Sequence, residues 1–80
     1  MLGLMQDWPL LCHRIIQHAA RIHGSQEIVT RSVEGPMHTT NYAEIRARAL
    51  KVAQRLEKDG IKLGDRVGTI AWNTYRHFEL

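Results

Sequence analysis

From Thr39 to Trp72 the sequence reads TTNYAEIRARALKVAQRLEKDGIKLGDRVGTIAW. It combines a long amphipathic stretch, a glycine, a tight loop and a short apolar run, and the rest of the chain has to fit around it. Asn41 followed by Glu44 fits a capping box, with the Asn side chain accepting from an early free N–H and the Glu reaching back. Ile45, Ala49, Val52, Ala53 and Leu56 recur at the spacing of one helical face. Arg46, Arg48, Lys51, Arg55 and Lys58 fall largely on the remaining surface. Gly60 takes positive φ without strain and suits the position just past a helix end, with Ile61 closing a Schellman motif. The spacing predicts a helix over 42–59.

Leu63-Gly64-Asp65-Arg66 reads as a short loop. Val67 to Trp72 (VGTIAW) is apolar and contains β-branched residues, as expected of a buried strand covered on both faces. Strand, helix and parallel strand would form a right-handed βαβ unit.

Upstream, residues 1–9 read as extended, because Pro9 disfavours helix at Trp8 and suits a helix start. A first helix is expected over about 10–23, with Leu11, Ile15, Ala19 and Ile22 on one stripe and Gly24 as its stop. Glu27 to Val33 and Met37 to Asn41 are two strand-like runs around the turn signal Glu34-Gly35-Pro36. They predict an antiparallel hairpin with a three- to four-residue connection. Asn73 is a candidate N-cap for a third helix over 74–80, which carries no stop signal. Fold class is therefore α/β: helix, β-hairpin, long helix, buried strand and the start of a third helix. The unsatisfied strand and the unfinished helix imply an N-terminal fragment of a larger α/β domain.

Eighty residues allow at most one domain, and one this small is marginal by itself. With 44% apolar and 24% charged residues, the composition is ordinary for a globular protein and argues against disorder. The net charge of +3 is spread along the chain and does not demand nucleic acid or an anionic membrane. Cys12 is the single cysteine and suits a reducing compartment. No run approaches the ~20 apolar residues of a membrane-crossing helix. The first residues lack the basic and long apolar regions of a signal peptide, Asp7 interrupting them. A cytoplasmic protein without a transmembrane segment is expected.

Chemistry-bearing patterns are sparse. His13, His18 and His23 lie five apart, and five residues turn a helix by about 140°, so the three share no face. Cys12 has no activating partner in the sequence and reads as a buried or half-buried thiol. Asp65 reads as a loop acid capping nearby backbone. Arg48, Lys51 and Arg55 form a basic helix face with no interleaved aromatic residue, so a solvated face is favoured over a nucleic-acid surface. The glycines form neither a P-loop nor GxGxxG. No catalytic, cofactor-binding or metal residue is assigned.

Three pieces carry a resemblance to a known family. Thr39-Thr40-Asn41-Tyr42-Ala43-Glu44-Ile45 is similar to a "T-Y-x-E-L" entry into a long helix. Ala53-Gln54-Arg55-Leu56 through Gly60-Ile61-Lys62-Leu63-Gly64-Asp65-Arg66-Val67 is similar to "A-x-x-L…G-V-x-x-G-D-R-V". Ile70-Ala71-Trp72-Asn73 is similar to a strand ending in Asn that starts the next helix. In this order they resemble the N-terminal region of the adenylate-forming (AMP-binding) acyl-CoA synthetases. Tyr75-Arg76-His77-Phe78-Glu79 and the Asp7-Trp8-Pro9-Leu10 segment bring it nearest to the medium- and long-chain fatty-acid–CoA ligases.

The resemblance implies that residues 1–80 are the N-terminal part of the large N-terminal domain of such an enzyme. The phosphate loop, the ribose-holding acid, the magnesium-coordinating Glu and the mobile C-terminal lysine would all lie downstream. ATP, Mg2+ and CoA would belong to the parent enzyme, and the 80 residues alone would be inactive. Partners implied are the remainder of that enzyme and a second subunit met by Met5, Trp8 and Leu10 in a homodimer. Two other classes remain open: a stand-alone protein-interaction module, and a small nucleic-acid binder using the basic helix face.

Overall fold

The computed structural model describes residues 3–80, so Met1 and Leu2 of the expected extended segment lie outside the described residues. Residues 3–12 adopt no regular structure, and Leu4, Met5, Trp8 and Leu10 are exposed. Helix α1 spans His13–Ile22 and starts later than expected. Cys12 at its N-cap makes no side-chain capping bond. The entry is instead tightened by i→i+3 bonds from the Arg14 and Ile15 amides to Leu11 and Cys12.

The face α1 turns to the rest of the chain also differs from the expected stripe. Ile16, Ala19 and Ala20 are partly covered, whereas Leu11, Ile15 and Ile22 are exposed. Small residues decide this. Gly24 sits where an added Cβ would lie 2.5 Å from the Ala20 carbonyl oxygen and 3.3 Å from Ala43 Cβ. The Ala43 N–H donates to the Gly24 carbonyl at 3.1 Å, joining the end of α1 to the start of the long helix. Gly24 ends α1 through this close approach, without a left-handed φ.

Strands β1 (Glu27–Arg31) and β2 (Met37–Asn41) form an antiparallel hairpin in the register Glu27↔Asn41, Thr30↔His38 and Arg31↔Met37. The connection is thus residues 32–36, longer than expected, because β1 stops before Ser32 and Val33. Thr30 and Thr40 are buried on one face, while Val29 and Met37 are exposed on the other. The buried hydroxyls are satisfied: Thr30 accepts the Tyr75 N–H at 3.1 Å, and Thr40 donates to Glu44 at 2.9 Å.

Helix α2 spans Tyr42–Lys58, within one residue of expectation. Asn41 caps it, its side-chain oxygen accepting from the Glu44 N–H at 2.9 Å. The reciprocal half of the capping box is replaced, since Glu44 takes the Thr40 hydroxyl. At the other end Gly60 has φ 91°, its N–H donates to Glu57, and the Ile61 N–H donates to Leu56. That pair of bonds is the Schellman motif. Ile45, in the first turn of α2, is the one fully buried apolar side chain among the described residues.

The expected buried strand is not formed. Residues 66–72 pair with no strand, and no backbone hydrogen bond ties them among the described residues. Val67, Ile70 and Trp72 are exposed. Among the described residues the sheet is the β1–β2 hairpin alone, and they form no βαβ unit. A strand is stabilised by its neighbours' peptide groups, and among the described residues the hairpin strands pair only with each other. Helix α3 (Tyr75–Glu79) then forms a single turn behind Thr74, one residue past the expected cap.

The architecture is mixed α/β, as expected, but poorly closed. The radius of gyration is 15.6 Å, against about 12 Å for a compact chain of this length. The accessible surface is 7569 Å2, against about 4,900 Å2 for a compact protein of this mass, an excess of about 2,700 Å2.

Candidate functional site

Polar and aromatic side chains converge where α3 meets α2 and the hairpin. The inner face of the hairpin presents Thr30 and His38. The covered side of α2 presents Tyr42, and Arg48 reaches across from α2 to α3. Tyr75 enters between them: its N–H is held by Thr30 and its ring stacks on His38 with centroids 3.8 Å apart. Phe78 meets Tyr42 edge-on at 6.5 Å. Glu79 is buried and takes the Arg48 guanidinium in an ion pair. The hydrogen bond it donates to Glu79, followed by the charge of that carboxylate, holds the Arg48 guanidinium above its ordinary pKa. Arg76 bonds the Tyr75 hydroxyl at 3.1 Å, and His77 shares a hydrogen bond with Thr69 at 2.9 Å.

The Arg48, Glu79, Thr30, Thr69 and Tyr75 polar groups of this cluster already have partners. Arg48 and Glu79 neutralise each other, the Thr30 hydroxyl is occupied, and the Thr69 hydroxyl pairs with the His77 imidazole, for which no third, orienting group is found among the described residues. His38 Nδ1 is buried without a hydrogen-bond partner among the described residues. The cluster is a clamp that fixes α3.

The sequence-predicted candidates stay apart. His18 and His23 come together edge-on with centroids 6.2 Å apart. No group of three or more His, Cys, Asp or Glu able to hold a metal ion occurs among the described residues. Cys12 is exposed, against the expected buried or half-buried thiol; α1 turns its other face to α2. Asp65 behaves as expected, accepting the Lys62 N–H at 2.8 Å across a turn that Gly64 completes at φ 93°. On the basic face, Arg48 is bound to Glu79 and Arg55 to Asp59 at 3.1 Å, so two of its three cations are compensated. No helix among the described residues is long and apolar enough to cross a membrane. Glu79 was not foreseeable, because its partner lies 31 residues away.

The described residues thus present a mixed α/β architecture, an exposed strand-like run and a clamp around α3. Comparison with known proteins gives the chain's relatives. No family model matches the chain. Over all 80 residues it is 46% identical to a 3-methylmercaptopropionyl-CoA ligase of Ruegeria lacuscaerulensis. It is 40% identical to a medium-chain-fatty-acid–CoA ligase of Ectopseudomonas oleovorans, again over its whole length. A long-chain-fatty-acid–CoA ligase of Thermus thermophilus matches 94% of the chain at 37% identity. The chain spans about 15% of the length of these relatives. It is thus homologous, along its own full length, to part of the acyl-CoA and fatty-acid–CoA ligases.

Proposed function

We propose that this chain is the N-terminal scaffold of an AMP-forming fatty-acid–CoA ligase, part of that enzyme's large N-terminal domain. The parent would use ATP to activate a fatty acid as the acyl-adenylate and pass the acyl group to CoA. The observation that carries this reading is similarity over 94–100% of the chain to three CoA ligases named for different acyl groups. A stretch shared across such acyl groups suits framework better than a substrate pocket. The described residues do not fit ATP, Mg2+ or CoA: Arg48 and Arg55 are committed to carboxylates, and no phosphate-cradling glycine loop is present. On this reading the activity belongs to the parent enzyme, its location is the cytoplasm, and these 80 residues alone are inactive.

Exposed Met5, Trp8 and Leu10 extend the proposal to a homodimer arm. In a full-length enzyme carrying this segment, Trp8→Ala is expected to weaken dimerisation in sedimentation equilibrium. An unchanged dimer removes the arm.

The test of the scaffold role is a graft. In the Ruegeria lacuscaerulensis ligase, deleting the matching stretch should abolish activity, and inserting this chain in its place should restore it. A soluble, folded graft without activity would contradict the proposal.

A further inference from the structure

The side of α1 that faces away from α2 is not built like a solvated helix face. Leu11, Ile15, His18 and Ile22 recur at i, i+4, i+7 and i+11, within about 60° of arc. All four are exposed, Ile15 by 75%. Trp8 and Leu10 continue the stripe into a shallow groove at the helix start. Ile16, Ala19 and Ala20, on another side of the helix, are the partly covered residues. Only one of the two apolar stripes of α1 is therefore used among the described residues.

The charge around the free stripe is of one sign. No acidic residue occurs between Asp7 and Glu27, whereas Arg14 and Arg21, seven apart, line one border of the stripe. Neither arginine takes part in an ion pair among the described residues. Arg14 lies instead over the Trp8 ring, 3.7 Å from its centroid. A net charge of +3 over the whole chain conceals this local asymmetry.

We infer that this face of α1 is a docking surface for an anionic phospholipid bilayer, with Leu11, Ile15 and Ile22 at the boundary between headgroups and acyl chains. An apolar stripe bordered by arginines is what a helix lying in that boundary presents. Arginine keeps its stem among apolar groups and its charge among the phosphates, and a Trp ring settles at the same level. Two features argue against a protein occupant. His18 stands inside the stripe, and a dry protein core would have to supply it a hydrogen-bond partner; headgroups and their water supply one anywhere. An isologous second copy presents the same face, which has no acid to meet Arg14 and Arg21. The inference uses residues 8–23 alone and does not depend on the ligase reading.

Vesicle flotation tests this, on the 80-residue chain and on its graft in the Ruegeria lacuscaerulensis ligase. Both should float with vesicles of mixed phosphatidylglycerol and phosphatidylcholine, and stay behind with phosphatidylcholine alone. Salt should release them. Replacing both arginines, Arg14→Gln with Arg21→Gln, should weaken binding roughly 30-fold, at about fivefold per cation. Ile15→Gln should weaken it about 10-fold or more, with helix content unchanged by circular dichroism. Should a variant lose helix, the preference of the unsubstituted protein for anionic vesicles and its release by salt still decide. Equal flotation with neutral vesicles, or full binding by the double arginine variant, overturns the proposal. Flotation of the chain but not of the graft assigns the stripe to the rest of the parent and also overturns it. So does a failure of both to float, and a dimer that Ile15→Gln dissociates would then give the stripe to a second copy. A graft that floats without making thioester supports the lipid face and counts against the ligase reading alone.

Discussion

Gly24→Ala sets two effects of opposite sign against each other. Gly24 does not have positive φ, so Ala can adopt its backbone conformation. On that ground alone the substitution should stabilise by about 0.4–1 kcal/mol, by narrowing the unfolded ensemble. The added Cβ, however, would lie 2.5 Å from the Ala20 carbonyl oxygen and 3.3 Å from Ala43 Cβ. Carbon and carbonyl oxygen normally meet at about 3.3 Å, so roughly 0.8 Å must be found. The atom in the way is helix backbone, which does not swing aside like a side-chain tip. Forced overpacking of this kind costs about 1–3 kcal/mol. The shift would also strain the Ala43 N–H to Gly24 carbonyl bond, with about 1 kcal/mol at stake. The clash wins, and a net loss near 1 kcal/mol should lower Tm by about 4–8 °C for a domain of this size. Thermal unfolding followed by far-ultraviolet circular dichroism reads it. Gly68→Ala is the control, since nothing lies within 4 Å of its added Cβ, and it should stay within about 0.5 kcal/mol. A raised Tm for Gly24→Ala would refute the close approach between the end of α1 and the start of α2.

Other substitutions probe the remaining anchors. Asn41→Ala removes the cap on the Glu44 N–H and should cost about 1 kcal/mol, read as a lower urea midpoint. Ile45→Ala empties the one fully buried apolar position among the described residues and should cost about 2–5 kcal/mol, enough to melt α2 against the hairpin. Arg48→Ala leaves the buried Glu79 carboxylate without its partner. It should release α3, seen as loss of amide protection at Phe78. Adding Glu79→Ala to it should restore part of that protection, because no buried charge is then left unpaired. Equal loss in the double variant would mean the pair does not hold α3.

What was legible in the sequence was local. Asn41, the apolar spacing from Ile45 to Leu56 and Gly60 all act within a few residues of one another, and α2 appears where they place it. The hairpin was legible for the same reason, although its connection runs over five residues, 32–36. The start of α1 was misplaced because Cys12 supplies no capping side chain. Its buried face was misread because α1 offers two apolar stripes. The choice between them is made by Ala19, Ala20 and Gly24 against Ala43, which is a tertiary matter. Val67–Trp72 has the composition of a strand, but strand pairing is non-local and no partner meets it here. The clamp was illegible as well, since Arg48–Glu79 and Thr30–Tyr75 join residues 31 and 45 positions apart.

The measurement that tests the central claim most directly is acyl-CoA formation by the graft of this chain into the Ruegeria lacuscaerulensis ligase. Thioester produced from that enzyme's own acyl substrate is read by chromatography beside the deletion and the intact enzyme. The account predicts a deletion without activity and a graft that recovers the reaction, depending on both ATP and CoA. A graft that is soluble and helical, yet no more active than the deletion, would contradict it.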